Sequence, residues 1–330
     1  MNDVVSVNHG DFIMSSKGKV TVLGINGHIG QHAARAFLDA GWEVSGFGRS
    51  NKHPLNGIRF IKGDAESVED MAAAVGDADV VVNALNLPYD KWDHGRKEAQ
   101  IARVIAAMGT AGKTLLFPGN IYNYAASDRY VTPDLPQHPQ TERGAIRVRV
   151  EAMLRAAAER GDMQVLIIRA GDFFAANNDF DYFDQAILRE AGKHRVAIPG
   201  APAIGHSWAY LPDLGRAFEK VASVRASLGQ FENFHFAGHF VTHGELVEAV
   251  KAAAPVPLKT VPFPWLMIRV VGLAMPVMRE VAKMRYLWDN TMELRDERLS
   301  AILSPDFGTP FEEAVAAAVA PFFADKRQAA

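Results

Sequence analysis

Cysteine is absent from the 330-residue chain, which removes disulfide frameworks, thiolate nucleophiles and cysteine-ligated zinc. A reducing compartment fits that absence, and the cytoplasm is the expected location. A strong charge of either sign is missing too: the net charge is −3. No basic stripe suited to a phosphate backbone stands out, so nucleic acid is not an expected partner. Long apolar runs are also lacking. The longest, from Trp265 to Met278, carries Arg269 and Pro276; it is too short for a bilayer span and reads as an amphipathic helix, so no membrane partner is expected. The opening MNDVVSVNHGDFIMSSKGK has no basic segment followed by an apolar one, so no signal peptide is expected, and Met14 is an alternative start. The nucleophile elbow G-x-S-x-G, the zinc helix H-E-x-x-H and the P-loop are all missing.

What remains is an ordinary globular composition, 48% apolar and 22% charged, with a core large enough for one main unit and a smaller lobe. From Lys19, short β-branched runs alternate with helical patterns: VTVL at 20–23, a helix at 31–40, EVSGF, IRFI at 58–61, DVVVNAL at 79–85, a helix at 97–108, TLLF at 114–117 and MQVLIIR at 163–169. This is the βαβ rhythm of a doubly wound parallel sheet. After Ala170 the rhythm turns mixed. The expected class is α/β: a Rossmann doubly wound parallel sheet over 19–170, an N-terminal extension over 1–18, and a smaller mixed α/β C-terminal substrate lobe over 171–330. Some lobe segments are expected to return to the sheet, HSWAYL at 206–211 being the candidate for its edge.

VTVLGINGHIGQHAARAF places Gly24, Gly27 and Gly30 directly after a strand and at the opening of a helix. Glycines there permit a tight turn, close backbone approach to a pyrophosphate and close helix–sheet packing, while the helix N-terminus favours the phosphate charge. Gly24, Asn26, Gly27, His28, Ile29 and Gly30 are therefore expected to hold a dinucleotide. An NAD site commonly ends its second strand on an acid; here the segment reads GFGRS, with Gly48 at that position and Arg49 after it. A guanidinium suits a 2′-phosphate, so NADP is expected over NAD. Asp64 in IKGDAES is either a partner of the adenine amino group or the N-cap of a helix at 66–75.

In these segments the chain resembles the extended short-chain dehydrogenase/reductase family, its epimerase and dehydratase branch, over about residues 19–325. GDAES looks like the family's adenine-side motif, adding Ala65 to Asp64, and VVNAL like the fourth-strand segment beside the nicotinamide ribose, adding Ala84 and Leu85. RAGDFFA is similar to R-x-x-N-x-Y-G, with Asp172 for Asn and Phe174 for Tyr, and HSWAYLPDLGRAF to a segment ending in an aspartate, here Asp213. The departures fall on the family's chemistry. Its Ser or Thr, Tyr and Lys are missing: Pro118 and Gly119 stand at the hydroxyl position, Arg143 at the tyrosine and Arg147 at the lysine, with Glu151 on the glutamate that follows.

Arginine stays protonated and cannot act as a base, so Arg143 is excluded; Arg147 retains the lysine's ability to bind ribose hydroxyls and hold positive potential. Both arginines read equally well as a solvated helix surface. PGNIYNY at 118–124 follows the fifth strand on the edge where open α/β sheets bind ligands. Tyr122 is thus the expected acid/base, its phenol brought toward neutral pH by the nearby guanidinium, with Asn120 orienting substrate and Tyr124 and Asp172 on the substrate side. His235, His239 and His243 are spaced by four, but FENFHFAG reads as strand and turn and Thr242 with Glu245 as a capping box, so no metal site is expected. The resemblance implies an NADP(H)-binding oxidoreductase or epimerase-like enzyme acting on a small carbonyl or hydroxyl substrate. The alternative is a non-catalytic NADP(H)-binding regulator, and a homodimer is left open.

Overall fold

The computed structural model describes residues 16–176 and 181–324. The expected extension up to residue 15, with Met14, lies outside the described residues. In chain order the elements are β1 (Lys19–Leu23), α1 (His28–Asp39), β2 (Glu43–Gly48), β3 (Arg59–Lys62), α2 (Val68–Val75), β4 (Val80–Asn83), α3 (Arg96–Met108), β5 (Thr114–Gly119), β6 (Tyr130–Val131), α4 (Glu142–Glu159) and β7 (Gln164–Arg169). They continue with β8 (Asp172–Phe174), β9 (Arg195–Ile198), β10 (Gly205–Tyr210), α5 (Leu211–Ser223), β11 (Phe231–His235), β12 (His239–Thr242), α6 (His243–Ala253) and β13 (Lys259–Pro262). The last are α7 (Trp265–Val271), α8 (Pro276–Lys283), α9 (Tyr286–Asp289), β14 (Glu293–Leu294), α10 (Glu297–Leu303) and α11 (Phe311–Phe323).

Seven parallel strands form the main sheet in the order β11-β7-β5-β4-β1-β2-β3. Their buried residues alternate between two faces. Val20, Val22, Val80, Val82, Leu166 and Ile168 meet α1 and α5, while Leu23, Val81, Leu115, Phe117, Val165 and Ile167 meet α2, α3 and α4. Burial on both faces is why these strands read as continuous apolar runs. The strand order reverses between β1 and β4, which opens a crevice at their carboxyl ends.

HSWAYL does not reach the edge of this sheet. It forms β10, between β8 and β12 in a separate three-stranded sheet, and β11 takes the edge beside β7, pairing Phe231 with Val165 through His235 with Arg169. The chain returns to the sheet through α5, which lies against α1 so closely that a Cβ on Gly215 would strike the His32 carbonyl. A helical crossover delivers the strand after it, not the one before it, to the parallel edge.

A third core, built on Phe174, Phe183, Trp208, Leu246, Trp288 and Val315, fills the C-terminal lobe. Its α6 opens on the expected capping box of Thr242 and Glu245. The apolar stretch expected as one amphipathic helix is instead two short helices, α7 and α8, broken at Gly272–Met275. A Cβ on Gly272 would lie 2.9 Å from the Arg279 nitrogen, so α8 folds back against the end of α7 at a spacing only glycine allows. Among the described residues no helix is long and apolar enough to cross a membrane.

Candidate active site

The turn between β1 and α1 sits at the mouth of the β1/β4 crevice. Gly24 has φ +85°, a conformation that favours glycine, and a Cβ there would lie 2.8 Å from the Ala84 carbonyl oxygen. A Cβ on Gly30 would enter the Gly24 carbonyl, so these two glycines close the turn against β4 and α1. Gly27 differs. A Cβ there meets the Gly24 oxygen at 3.4 Å and the Ala84 oxygen at 3.8 Å, which leaves its outer side open for a ligand's approach. No side chain caps α1, and its first turn carries no acid, so its N–H groups are available to an anion.

The other residues expected to bind cofactor are placed around this turn with distinct tasks. Asn26 ties the turn to the loop after β2, its Oδ1 accepting from the Lys52 nitrogen at 2.9 Å while its amide donates to the Ser50 carbonyl. That clamp fixes the loop bearing Arg49. Ile29 packs into the core beneath α1, so its side chain faces away from a ligand. His28 opens α1 beside His32, whose imidazole is lowered to about 4 by burial and then by His28. Ala84 donates to the Leu23 carbonyl at 2.9 Å, and the Leu85 nitrogen donates to the Asn83 side chain at 3.2 Å.

Arg49, Lys62, Gly63, Asp64 and Asp70 line a cavity of about 380 Å³ beyond β2 and β3. Register pairs Gly48 with Lys62, which brings a second cation beside Arg49. Asp64 is not the N-cap of α2: Ser67 is, accepting from the Asp70 nitrogen at 3.0 Å. Asp64 instead accepts from the Glu66 nitrogen at 3.0 Å, and its own nitrogen donates to Asp70 at 2.8 Å. The tighter local turn takes the carboxylate, so the helix starts later than the pattern indicated. Ala65 packs against the core on that side of the sheet.

The loop after β5 is braced from below by buried charge. Arg169 and Glu151 pair at 2.7 Å, both buried, and Arg169 also donates to the Asn120 carbonyl. The Asn120 side chain accepts from the Tyr122 nitrogen at 3.2 Å. Arg147 is buried and donates to the Pro118 carbonyl, with its guanidinium 4.9 Å from the Phe117 ring centre. Arg143 is buried as well, held by two 2.8 Å hydrogen bonds to Asp93 and by Glu280 at 3.5 Å. Neither arginine belongs to a solvated surface, because α4 packs on two sides and its 143, 147, 151 face turns inward.

Tyr124 is fully buried, edge-on to His235, and does not border open space. His235 itself is lowered to about 3 by burial and then by Arg169; it accepts from Arg169 at 3.2 Å through Nε2 and faces the Val131 carbonyl through Nδ1. His243 faces the Trp288 carbonyl, and His239 lies by Phe311. Each imidazole thus has its own surroundings.

Tyr122 corrects the electrostatic expectation. Burial pushes its phenol above the usual value and the Asp172 carboxylate adds to the shift, while Arg147 opposes it only in part. The phenol therefore stays protonated at neutral pH and can donate, not abstract. Around it stand Tyr89, edge-on with ring centres 6.3 Å apart, and Tyr182, whose phenol is also raised by burial and then by Asp172. Asp172 meets His206 Nε2 at 2.8 Å. His206 is fully buried, stacks on Trp288 with ring centres 4.5 Å apart, and keeps an unpartnered Nδ1.

Sequence reasoning missed Lys62, Lys97, His206, Tyr89 and Tyr182. Lys97 carried a readable signal, since it occupies the apolar stripe that continues through Ile101, Val104 and Met108. Its ammonium is buried against Gln100 at 2.8 Å and Asn86 at 3.1 Å, and is lowered to about 7 by burial and then by Arg147.

Solved structures share this architecture. MoeE5 in complex with UDP-glucuronic acid and NAD is 18% identical, with a TM-score of 0.73 over 95% of this chain and 100% of that one. The Bordetella bronchiseptica enzyme WbmH in complex with NAD+ is 22% identical, with a TM-score of 0.66 over 92% and 98%. UDP-glucuronic acid 4-epimerase from Bacillus cereus is 13% identical, with a TM-score of 0.73 over 94% and 100%. At such identities the likeness is one of fold. No curated protein matches the sequence significantly. The family model for NAD dependent epimerase/dehydratase matches residues 20–230, the stretch that holds the glycine turn, the β1/β4 crevice and the braced loop after β5, and the chain belongs to that family.

Proposed function

We propose that the chain is an oxidoreductase or epimerase-like enzyme that binds NADP(H) in preference to NAD(H) and acts on a small carbonyl or hydroxyl compound. The observation that carries the cofactor reading is the pair of cations Arg49 and Lys62 around the cavity beyond β2 and β3, where the second strand ends on Gly48 without an acid. Two cations favour a 2′-phosphate. The cradle of Gly24, Gly27 and Gly30 fits a pyrophosphate, and Ala84, Leu85 and Pro118 line the way to the ring end. MoeE5 and WbmH were solved with NAD, so the preference rests on this chain's own residues.

When bound, the dinucleotide supplies a hydride donor or acceptor. In the reductive direction the protonated Tyr122 phenol hydrogen-bonds the substrate oxygen and gives it a proton. The Asp172 carboxylate acts on that phenol and is held by His206 at 2.8 Å, and the phenolate left by the transfer takes its proton back from water. Arg147 holds the Pro118 carbonyl and Arg169 the Asn120 carbonyl, so the loop presenting Tyr122 is fixed before substrate arrives. The absence of the family's Tyr/Lys pair moves the proton chemistry from α4 to this loop.

Titration of NADPH and NADH by nucleotide fluorescence tests the cofactor reading. NADPH binds more tightly, and Arg49→Ala or Lys62→Ala each reduces the preference by about tenfold, the worth of one hydrogen bond to a charged group. Equal affinity for the two nucleotides removes the 2′-phosphate assignment. For the chemistry, NADPH oxidation is screened across carbonyl compounds. Tyr122→Phe retains nucleotide affinity and loses roughly 100- to 10,000-fold in turnover. Intact turnover would leave Tyr122 a packing residue, and tight binding with silence across diverse substrates would favour a nucleotide-binding regulator instead.

A further inference from the structure

Among the described residues, the α7–α8 hairpin carries the most exposed of the large apolar side chains. Leu266 is 74% exposed and Leu273 85% exposed, and Met267, Val270 and Met275 join them on the same rim. The hairpin is not loose. Its inner face is anchored by Trp265, which is buried and donates to the Pro199 carbonyl at 2.6 Å, by buried Ile268, and by the close approach at Gly272. An exposed apolar rim on a rigid support is a surface made for contact and not a frayed end.

Charge says what covers it. From Phe263 to Lys283 the only carboxylate is Glu280, which is buried and neutralised by Lys283 at 2.8 Å and by Arg143 at 3.5 Å. The neighbouring Asp93 is taken by Arg143, and Asp289 by Arg285 at 3.0 Å. Arg269 and Arg279 are exposed and lie outside every ion pair found among the described residues. Within the hairpin itself the rim is thus apolar with a cationic margin and no unpaired acid, on a chain whose net charge is −3. A second copy of this surface is a poor occupant, since a two-fold contact sets the same cationic margin against itself.

We propose that the α7–α8 hairpin docks the protein onto an anionic lipid bilayer, its apolar rim entering the headgroup boundary while Arg269 and Arg279 meet lipid phosphates. This departs from the absence of a membrane partner expected from the sequence, because a span and a surface contact have different length requirements. The hairpin lies in the interface plane and crosses nothing. It shares no residue with the dinucleotide cradle, so it stands or falls independently of the NADP reading.

Flotation of the full chain with vesicles of phosphatidylcholine alone, and of phosphatidylcholine mixed equally with phosphatidylglycerol, tests it. The protein floats with the anionic vesicles, and raised salt weakens the association. Leu266→Asp and Leu273→Asp each lower partitioning by about tenfold or more with melting temperature and nucleotide affinity unchanged, so loss of fold is not the cause. Arg269→Ala and Arg279→Ala each cost about fivefold on anionic vesicles and little on neutral ones. Absence of the protein from the anionic vesicle fraction overturns the proposal, as does wild-type flotation by the leucine variants. A concentration-dependent dimer abolished by Leu273→Asp overturns it too, assigning the rim to a second copy.

Discussion

Lys97 is the residue whose surroundings most change its chemistry. An ammonium held at about 7 by burial titrates some three units below its value in an unfolded chain, which lies near 10.4. Below pH 7 both states carry the proton and the native state bears the full cost of burying the charge. Between about pH 7 and 10 the unfolded chain binds a proton that the folded one does not, so this group makes stability rise with pH. Over pH 7 to 9 its contribution is on the order of 2 kcal/mol. Lys97→Met removes that slope. Thermal melts of both proteins across this range measure it, and a wild-type curve as flat as the variant's would show that Lys97 is not buried as a cation. Tyr122 illustrates the opposite sign: a phenol raised by burial and by Asp172 is kept as a donor, which is the property a reductive proton transfer uses.

Among the elements, α4 positions the most. Its apolar stripe of Ile146, Val150 and Leu154 packs against the sheet, and Arg143, Arg147 and Glu151, one helical turn apart, form a second buried stripe toward the braced loop. A helix buried on two sides needs partners for every charge on the inner one, and each has one: Asp93, the Pro118 carbonyl and Arg169. Glu151→Ala takes the carboxylate from Arg169 and leaves a buried guanidinium unpaired, at a cost of about 3–5 kcal/mol. In urea the midpoint of unfolding falls while the slope stays the same. A midpoint within error of wild type would mean that water or Asn233, 3.4 Å from Arg169, satisfies the charge, and that the brace contributes little.

At the scale of the whole molecule, the Rossmann half is not a piece of chain that ends at Ala170. Its core against α1 includes Leu211, Leu214, Phe218 and Val221 of α5 and Phe234 of β11 together with Phe37, Trp42 and Leu166. A chain cut after Ala170 exposes the part of the sheet and of α1 that α5 covers, together with the β7 edge, so it lacks a cooperative thermal transition and binds an apolar dye. A single sharp melt from that fragment would show that the first half folds without its crossover. The α7–α8 rim belongs to the same scale, because its exposure depends on where the lobe's own core stops.

The sequence by itself determined whatever depends on local order. Alternating β-branched runs and helical stripes gave the parallel sheet; Gly24, Gly27 and Gly30 marked the turn; Thr242 and Glu245 marked the start of α6. Backbone conformation and periodicity decide these within a few residues of chain. Only the tertiary structure decided what depends on neighbours far apart: that β11 and not β10 lies beside β7, that Lys62 stands next to Arg49, that Tyr124 is core, and that Asp172 finds His206, 34 residues along the chain. The same holds for the buried arginines of α4. A charged residue on a helix has the same periodicity whether it faces water or a partner across the core, and the free energy that separates the two is set by a carboxylate or carbonyl that another segment brings.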